Sequence, residues 1–269
     1  MRHKRHSMQY MIFSVFIQTF RAIANFASHG SFGYYSRNRS DRSGSQIHYD
    51  LMAYSYCWSR NRPYSGSIGH AYLKEKQELC TLLNLPKPKK FGIPNLHARQ
   101  YSENPPHLTA TAIFNEKFRN HLRSKLTDDL QMQHERIVIH IRRGDVNKHD
   151  HPNRFIDTDI YIRLFEELRA RYPRYELVVH TESQGSEDVL SSLSSTCKIM
   201  LDAPLTEVWR DLITSRVCVI AKSSFSYVPA LFCDGVVFYF PFWHEVPAGW
   251  EPILVDEMRL IRQGDDRIH

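Results

Sequence analysis

Between residues 136 and 240 the chain repeats one arrangement: a short, continuously apolar, β-branched run, then a polar turn, then a helical segment. The runs fall at 136–141, 176–180, 198–201, 217–221 and 236–240. Each is too short for a helix and apolar on both sides, as a strand buried on both faces must be. The segments between them carry helix signals. Residues 158–171 are amphipathic, with Asp157 or Thr158 able to cap them and Pro173 to close them. Ser186 can cap a helix through 193, Pro204 sits near the first turn of a helix reaching 215, and a brief helix is read at 227–232. Strands alternating with helices specify an α/β fold built on a parallel sheet covered on both faces.

The first half has another texture. Residues 28–67 are rich in Ser, Arg, Tyr, Asn and Gly with little periodicity, which reads as long loops with short elements. A helix is read at 71–83, an extended proline-rich crossing at 85–107, and a helix at 109–126 on which Ile113, Phe114, Phe118, His121 and Leu122 share a face. The change of texture divides the chain into an N-terminal lobe, 1–130, and a C-terminal Rossmann-like lobe, 131–269. At 269 residues, 42% hydrophobic and 24% charged, the chain is large enough for two modest cores and excludes a fibrous, disordered or disulfide-knotted molecule.

The basic start followed by an apolar run at 8–17 has the outline of a signal peptide. Gln9, Gln18, Thr19, Arg21 and Asn25 interrupt it, and Met11, Val15, Phe16, Phe20, Ile23 and Phe26 recur at helical spacing. An amphipathic core helix is the expected reading; a targeting or membrane-surface segment is the other. Five cysteines without a C-x-x-C pair read as free thiols in a reducing compartment, and with no second candidate span a cytoplasmic protein is expected. A formal charge of +6 suits an anionic ligand such as a nucleotide or phosphate and is too small for a nucleic-acid-coating surface.

In an open parallel sheet ligands bind beyond the carboxyl ends of the strands, so the residues following each run are the ones to inspect. After the first come Arg142, Arg143, Gly144 and Asp145; after the second Thr181, Glu182 and Ser183; after the third Asp202; after the fourth Lys222, Ser223, Ser224, Phe225 and Ser226. Two guanidinium forks at a strand exit can neutralise a diphosphate, or pair structurally with Asp145, Asp150 or Asp157. Serine hydroxyls and free amides at a strand-to-helix turn can close on an anion, or simply cap the helix, and Phe225 can press on a base or sugar. No P-loop, G-x-G-x-x-G fingerprint, nucleophile elbow or catalytic-cysteine signature is present. His134, His140, His149, His151 and His180 lack the spacing of a zinc site, so no metal is expected, and His140 inside a strand reads first as a core histidine.

His140, Arg142, Arg143 and Asp145 nonetheless form the H-x-R-R-x-D pattern, which resembles the signature of the α1,2-, α1,6- and protein O-fucosyltransferases. About eighty residues later, Ser224, Phe225 and Ser226, preceded by Ser223, resemble their S-x-F-S segment. The resemblance covers roughly residues 135–245. It implies a GT-B-like enzyme that moves a sugar from a nucleoside-diphosphate sugar to a glycan or glycoprotein hydroxyl, with inversion, without a metal or other cofactor and without nucleic acid. On that basis Arg142 is the donor-diphosphate arginine, Arg143 its supporting partner and Asp145 the motif carboxylate; Asp150, five residues on, occupies the offset of a proposed general base. His180 and Thr181 fall near the nucleotide, with His140 and residues 223–226 completing the donor site. GDP-fucose is the expected donor. A UDP-sugar such as UDP-xylose, or a non-catalytic nucleotide- or carbohydrate-binding module, is the alternative. The G-G-x-G-N-Q opening of bacterial α1,2-fucosyltransferases is absent, and Gly66 and Gly69 mark the glycine-bearing stretch expected to approach donor or acceptor. Tyr34, Tyr35, Tyr54, Tyr56, Trp58 and Tyr64 are either acceptor-stacking or packing residues.

Overall fold

A computed structural model describes residues 34–38, 40–95, 110–257 and 260–261. The amphipathic segment at 11–26 and much of the extended crossing lie outside the described residues. The chain begins with β1 (Tyr34–Arg37), α1 (Ser43–Trp58), β2 (Tyr64–Ile68) and α2 (Leu73–Leu82), with β1 and β2 paired in parallel. Three short helices follow: α3 (Ala110–Ile113), α4 (Glu116–Arg123) and α5 (Asp128–Gln131). The helix read at 109–126 is therefore broken. Asn115 adopts an extended backbone and its side chain accepts from the Phe118 amide at 3.0 Å, capping α4 and ending what precedes it.

Next comes the alternating unit: β3 (His134–His140), α6 (Thr158–Arg171), β4 (Glu176–Thr181), α7 (Glu187–Leu193), β5 (Lys198–Leu201), α8 (Leu205–Thr214), β6 (Ser215–Ile220), α9 (Ser224–Ala230), β7 (Val236–Tyr239) and a two-residue β8 (Glu251–Pro252). All pairings in this six-stranded sheet are parallel, and the strand order is β5-β4-β3-β6-β7-β8. The chain winds outward from β3 to β5, then returns to place β6 on the other side of β3. This is the order of a doubly wound sheet, and the reversal creates a crevice beyond the carboxyl ends of β3 and β6.

Strand alternation sorts the core into two layers. Ile137, Ile139, Val179, Val217, Val219 and Phe238 face α6 and α7, packing on Tyr161, Leu164, Phe165, Leu168, Val189 and Leu193. Val138, Val178, Cys218, Ile220 and Val237 face the other way, onto Trp209 and Leu212 of α8, Tyr227 and Val228 of α9, and the helices of the first half: Ile47, Leu51, Leu79, Phe118 and Leu122. That apolar cluster is continuous across residue 130. Among the described residues, the smaller sheet contributes its own minor cluster of Tyr34, Ala53, Cys57 and Tyr64. All five cysteines are free thiols.

The region read as loops, 28–67, contains the 16-residue helix α1 and strand β2, which corrects that reading. Its periodicity was hidden because α1 buries polar side chains, among them Ser43, Gln46, His48, Asp50 and Ser55. Asp50 can be buried because it finds partners. Asp50 Oδ2 lies 2.7 Å from Lys76 Nζ and 3.1 Å from Ser67 Oγ, and its Oδ1 accepts from Ser36. Lys76 Nζ also donates to Asn38 Oδ1 at 2.6 Å and Ser67 Oγ at 2.8 Å, and its side chain is fully buried. One charged network thus ties β1, α1, β2 and α2 together. Among the described residues, no helix is long and apolar enough to cross a membrane.

Candidate active site

The crevice predicted by the strand order is a cleft of about 750 Å³, within the roughly 300–1,000 Å³ typical of small-molecule sites. Its floor is built from the ends of three strands and the turns after them. His140 ends β3, with Arg142 and Asp145 after it; His180 and Thr181 end β4, with Glu182 after it; Lys222, Ser223, Ser224 and Phe225 follow β6. The first half adds Asp41, Arg42, Ser43, Gly44 and Ser45 at the start of α1, with Tyr72 and Glu75 at the start of α2. The two stretches singled out in the sequence, far apart in the chain, therefore line the same cleft.

Arg142 is held as a fork, one guanidinium nitrogen donating to Glu182 and another to Asp145. Two carboxylates fix the plane of the group while three of its five N–H donors remain uncommitted by them. Arg42 reaches Asp145 at 3.2 Å from the α1 side. Glu182 also accepts from the Arg143 amide at 2.9 Å, and the Gly144 amide donates to the Gln184 carbonyl at 2.9 Å, so the β3 and β4 exits brace each other. Gly144 sits at φ 64°, the left-handed turn that lets this happen.

Three expected site residues do not reach the cleft. The Arg143 guanidinium is buried on the α6 side, donating to the Ile156 carbonyl, Thr158 and Asp188 and stacking 4.3 Å from the Phe155 ring centroid. It anchors the start of α6. Ser226 is fully buried and its hydroxyl turns back to the Ala221 and Ser223 carbonyls, so it stabilises the turn from within. Asp150 lies on an exposed loop outside the cleft, bound to Asn147 at 2.7 Å and His149 at 3.0 Å. Those hydrogen bonds hold its carboxyl below the usual range, the wrong direction for a base.

The remaining residues occupy the cleft with defined partners. Ser223 Oγ accepts from the Phe225 amide at 3.2 Å, Ser224 Oγ lies 2.7 Å from His244 Nε2, and Thr181 Oγ1 lies 2.9 Å from Ser186 Oγ. His180 Nε2 is 2.8 Å from Asp211. Phe225 packs between His140 and Trp209, with ring centroids 5.2 and 5.8 Å away. Burial, then the neighbouring Arg142 and His180, press the His140 pKa down to about 3, so it stays neutral. Lys222 has no carboxylate partner among the described residues, and burial lowers its pKa.

Sequence reading missed the α1 contribution. Gly44, rather than the Gly66–Gly69 region, is the glycine at the cleft: a Cβ there would stand 2.6 Å from Phe225 Cα and 2.8 Å from its amide nitrogen. Helix α1 thus starts directly against the serine-rich turn, and any side chain at 44 forces them apart. Gly44→Ala is expected to cost about 1–3 kcal/mol by overpacking, checked by thermal denaturation. The aromatic residues at 34, 35, 54, 56, 58 and 64 do not line the cleft: Tyr54 stacks on Tyr64 and Trp58 on His121.

His48 and His244 stand with ring centroids 4.4 Å apart. Burial, helped by His244, lowers His48 to about 3, and burial lowers His244 to about 4. With His140, these groups are neutral in the fold but accept protons near pH 6.5 once unfolded, so acid favours the unfolded chain. Stability is therefore expected to be full above pH 6.5 and to fall progressively from there toward pH 4, by up to ~1.4 kcal/mol per pH unit for each histidine. Denaturant midpoints between pH 7.5 and 4.5 check this, and His48→Gln should flatten the profile.

Among the described residues, no group of three or more His, Cys, Asp or Glu side chains is placed to hold a metal ion. No protein-family model matches the chain, and no curated protein matches it.

Proposed function

We propose that this cleft binds a nucleoside-diphosphate sugar and that the protein is an inverting glycosyltransferase of the fucosyltransferase-like, GT-B type, with GDP-fucose as donor. The observation that carries the reading is the convergence of the Arg142 and Lys222–Ser224 stretches on one cleft at the switch point of a doubly wound sheet. Arg142 and Lys222 supply positive charge for a diphosphate, and the backbone turn into α9 supplies neutral donors besides the Phe225 amide, which is bound to Ser223 Oγ. Phe225 and the apolar wall of Met200, Ala203, Leu205 and Val208 offer a surface for a flat base.

In the reaction, an acceptor hydroxyl attacks the anomeric carbon as the bond to the diphosphate breaks. Arg142 and Lys222 stabilise the charge that develops on the leaving oxygens. The acceptor proton goes to a carboxylate. Asp145 and Glu182 are committed to Arg142, while the Ser183 side-chain and backbone hydrogen bonds hold Asp202 below its usual range. Glu75 lines the cleft and accepts from Ser43 Oγ at 2.7 Å, and we assign it the base role in place of Asp150.

The test is a thermal-shift screen against GDP, UDP and their sugar conjugates, followed by release of nucleoside diphosphate from the sugar conjugate that binds. Stabilisation by GDP, with release that persists in EDTA, is the expected result. Stabilisation by UDP alone replaces the fucose donor with a UDP-sugar. Binding without any release leaves a nucleotide-binding module, and no binding of either nucleotide ends the reading.

A further inference from the structure

Seven large apolar side chains stand exposed among the described residues, and three of them, Tyr72, Leu205 and Trp243, line this one cleft. Tyr72 is 48% exposed and Trp243 53%, a cost in water that a free surface does not need. Both aromatics are held in place. The Arg154 guanidinium lies 4.8 Å over the Trp243 ring centroid and Phe242 meets the indole edge-on at 5.2 Å. Tyr72 occupies the left-handed region at φ 49°, ψ 34°, which a tyrosine rarely adopts, as the residue that starts α2. Three residues on, Glu75 lines the same cleft, as do the carboxylates of Asp41 and Asp145.

Flat, exposed aromatic rings beside hydrogen-bond-accepting carboxylates match one class of ligand. A pyranose ring has an apolar C–H face that lies on an aromatic ring and hydroxyls at its edge that donate to carboxylates. An acidic chain would set its charge against Glu75 at this rim, and a purely apolar chain would cover that carboxylate without donating to it. We propose that the rim formed by Tyr72, Glu75 and Trp243 is the acceptor subsite and takes a neutral pyranose of an oligosaccharide. The inference rests on the donor reading above and names the substrate class of that same cleft. The linkage between the two is local: Glu75 is bound to Ser43, whose neighbour Gly44 abuts the Ser224–Phe225 backbone.

Trp243 is the most exposed of the four tryptophans, since Trp209 and Trp250 are buried and Trp58 half-buried, so fluorescence reports on it. The experiment titrates the intact protein, with and without saturating GDP, with N-acetyllactosamine, chitotriose and mannotriose. It follows acrylamide quenching for the wild type and calorimetry for the variants. At least one sugar is expected to shield the indole saturably. Tyr72→Ala and Trp243→Ala should each weaken that sugar about tenfold or more, Trp243→Phe should restore most of the loss, and GDP affinity should stay within about twofold. Failure of all three sugars to bind at millimolar concentration, or binding unchanged in both alanine variants, would overturn the proposal. A sugar that binds through Tyr72 and Trp243 while neither GDP nor UDP binds would sink the donor reading and keep the rim as a sugar site.

Discussion

Arg142→Ala is expected to lower nucleotide-sugar turnover by about 10²–10³, the loss that follows removal of one rigid donor from a developing anion, or about 2.7–4 kcal/mol of transition-state stabilisation. The effect should fall mainly on kcat, because Lys222 and the turn amides still hold the ground-state diphosphate. Arg142→Lys should recover little: a lysine cannot span Glu182 and Asp145 as the guanidinium fork does. Removing the guanidinium also releases those two carboxylates into the cleft, where they would repel the donor, so KM should rise as well. Arg143→Ala provides the contrast. Its guanidinium is buried against Thr158, Asp188 and Phe155, so that variant should lose stability and retain turnover in the fraction that folds. Equal turnover by Arg142→Ala and wild type would remove Arg142 from the chemistry.

The second large effect concerns the fold beneath the cleft. Asp50→Ala leaves the Lys76 ammonium fully buried with only Asn38 and Ser67 as partners, and should cost about 3–5 kcal/mol. In a chain this size such a loss lowers Tm by roughly 6–20 °C. The double substitution Asp50→Leu with Lys76→Met removes both charges and should recover much of that loss, because a buried pair replaced by apolar side chains of similar volume is often near neutral. Differential scanning calorimetry on the three proteins checks the ordering. An Asp50→Ala variant within about 1 kcal/mol of wild type would mean that Lys76 is neutral or hydrated in the fold. Helices α1 and α2 bring Gly44 and Glu75 to the cleft, so loss of this network should also reduce nucleotide affinity.

Five of the six strands of the main sheet were legible because each obeys a local rule. The runs from β3 to β7 are apolar on both faces, and β5 matches the 198–201 expectation residue for residue. Helix α6 likewise occupies the 158–171 expected of it. What failed to show in the sequence depends on partners distant in the chain. Helix α1 lacks an apolar stripe, because it buries Asp50, His48 and Gln46, and Asp50 is satisfied by Lys76 and Ser67, which no local window contains. β8 has two residues and follows a loop, leaving no pattern to read. For the site, strand exits identified Arg142, Ser223, Ser224 and Phe225 as residues near a common rim, but motif adjacency misplaced Arg143 and Ser226, whose side chains turn away from the cleft into the fold. Asp150 was reached by counting along a loop, and loop geometry does not preserve an offset. Glu182 and Trp243 carry no motif; only folding brings them beside Arg142 and Arg154. A signal for Gly44 did exist, in a glycine set between serines in the first turn of a helix, but it requires that helix to be recognised first.

The central claim is that two distant stretches hold one diphosphate, and hydrogen–deuterium exchange with and without saturating GDP tests it most directly. The nucleotide is expected to slow exchange together in residues 141–146 and 222–227 of the wild type. Protection of only one stretch, or of neither while GDP is demonstrably bound, would contradict that claim.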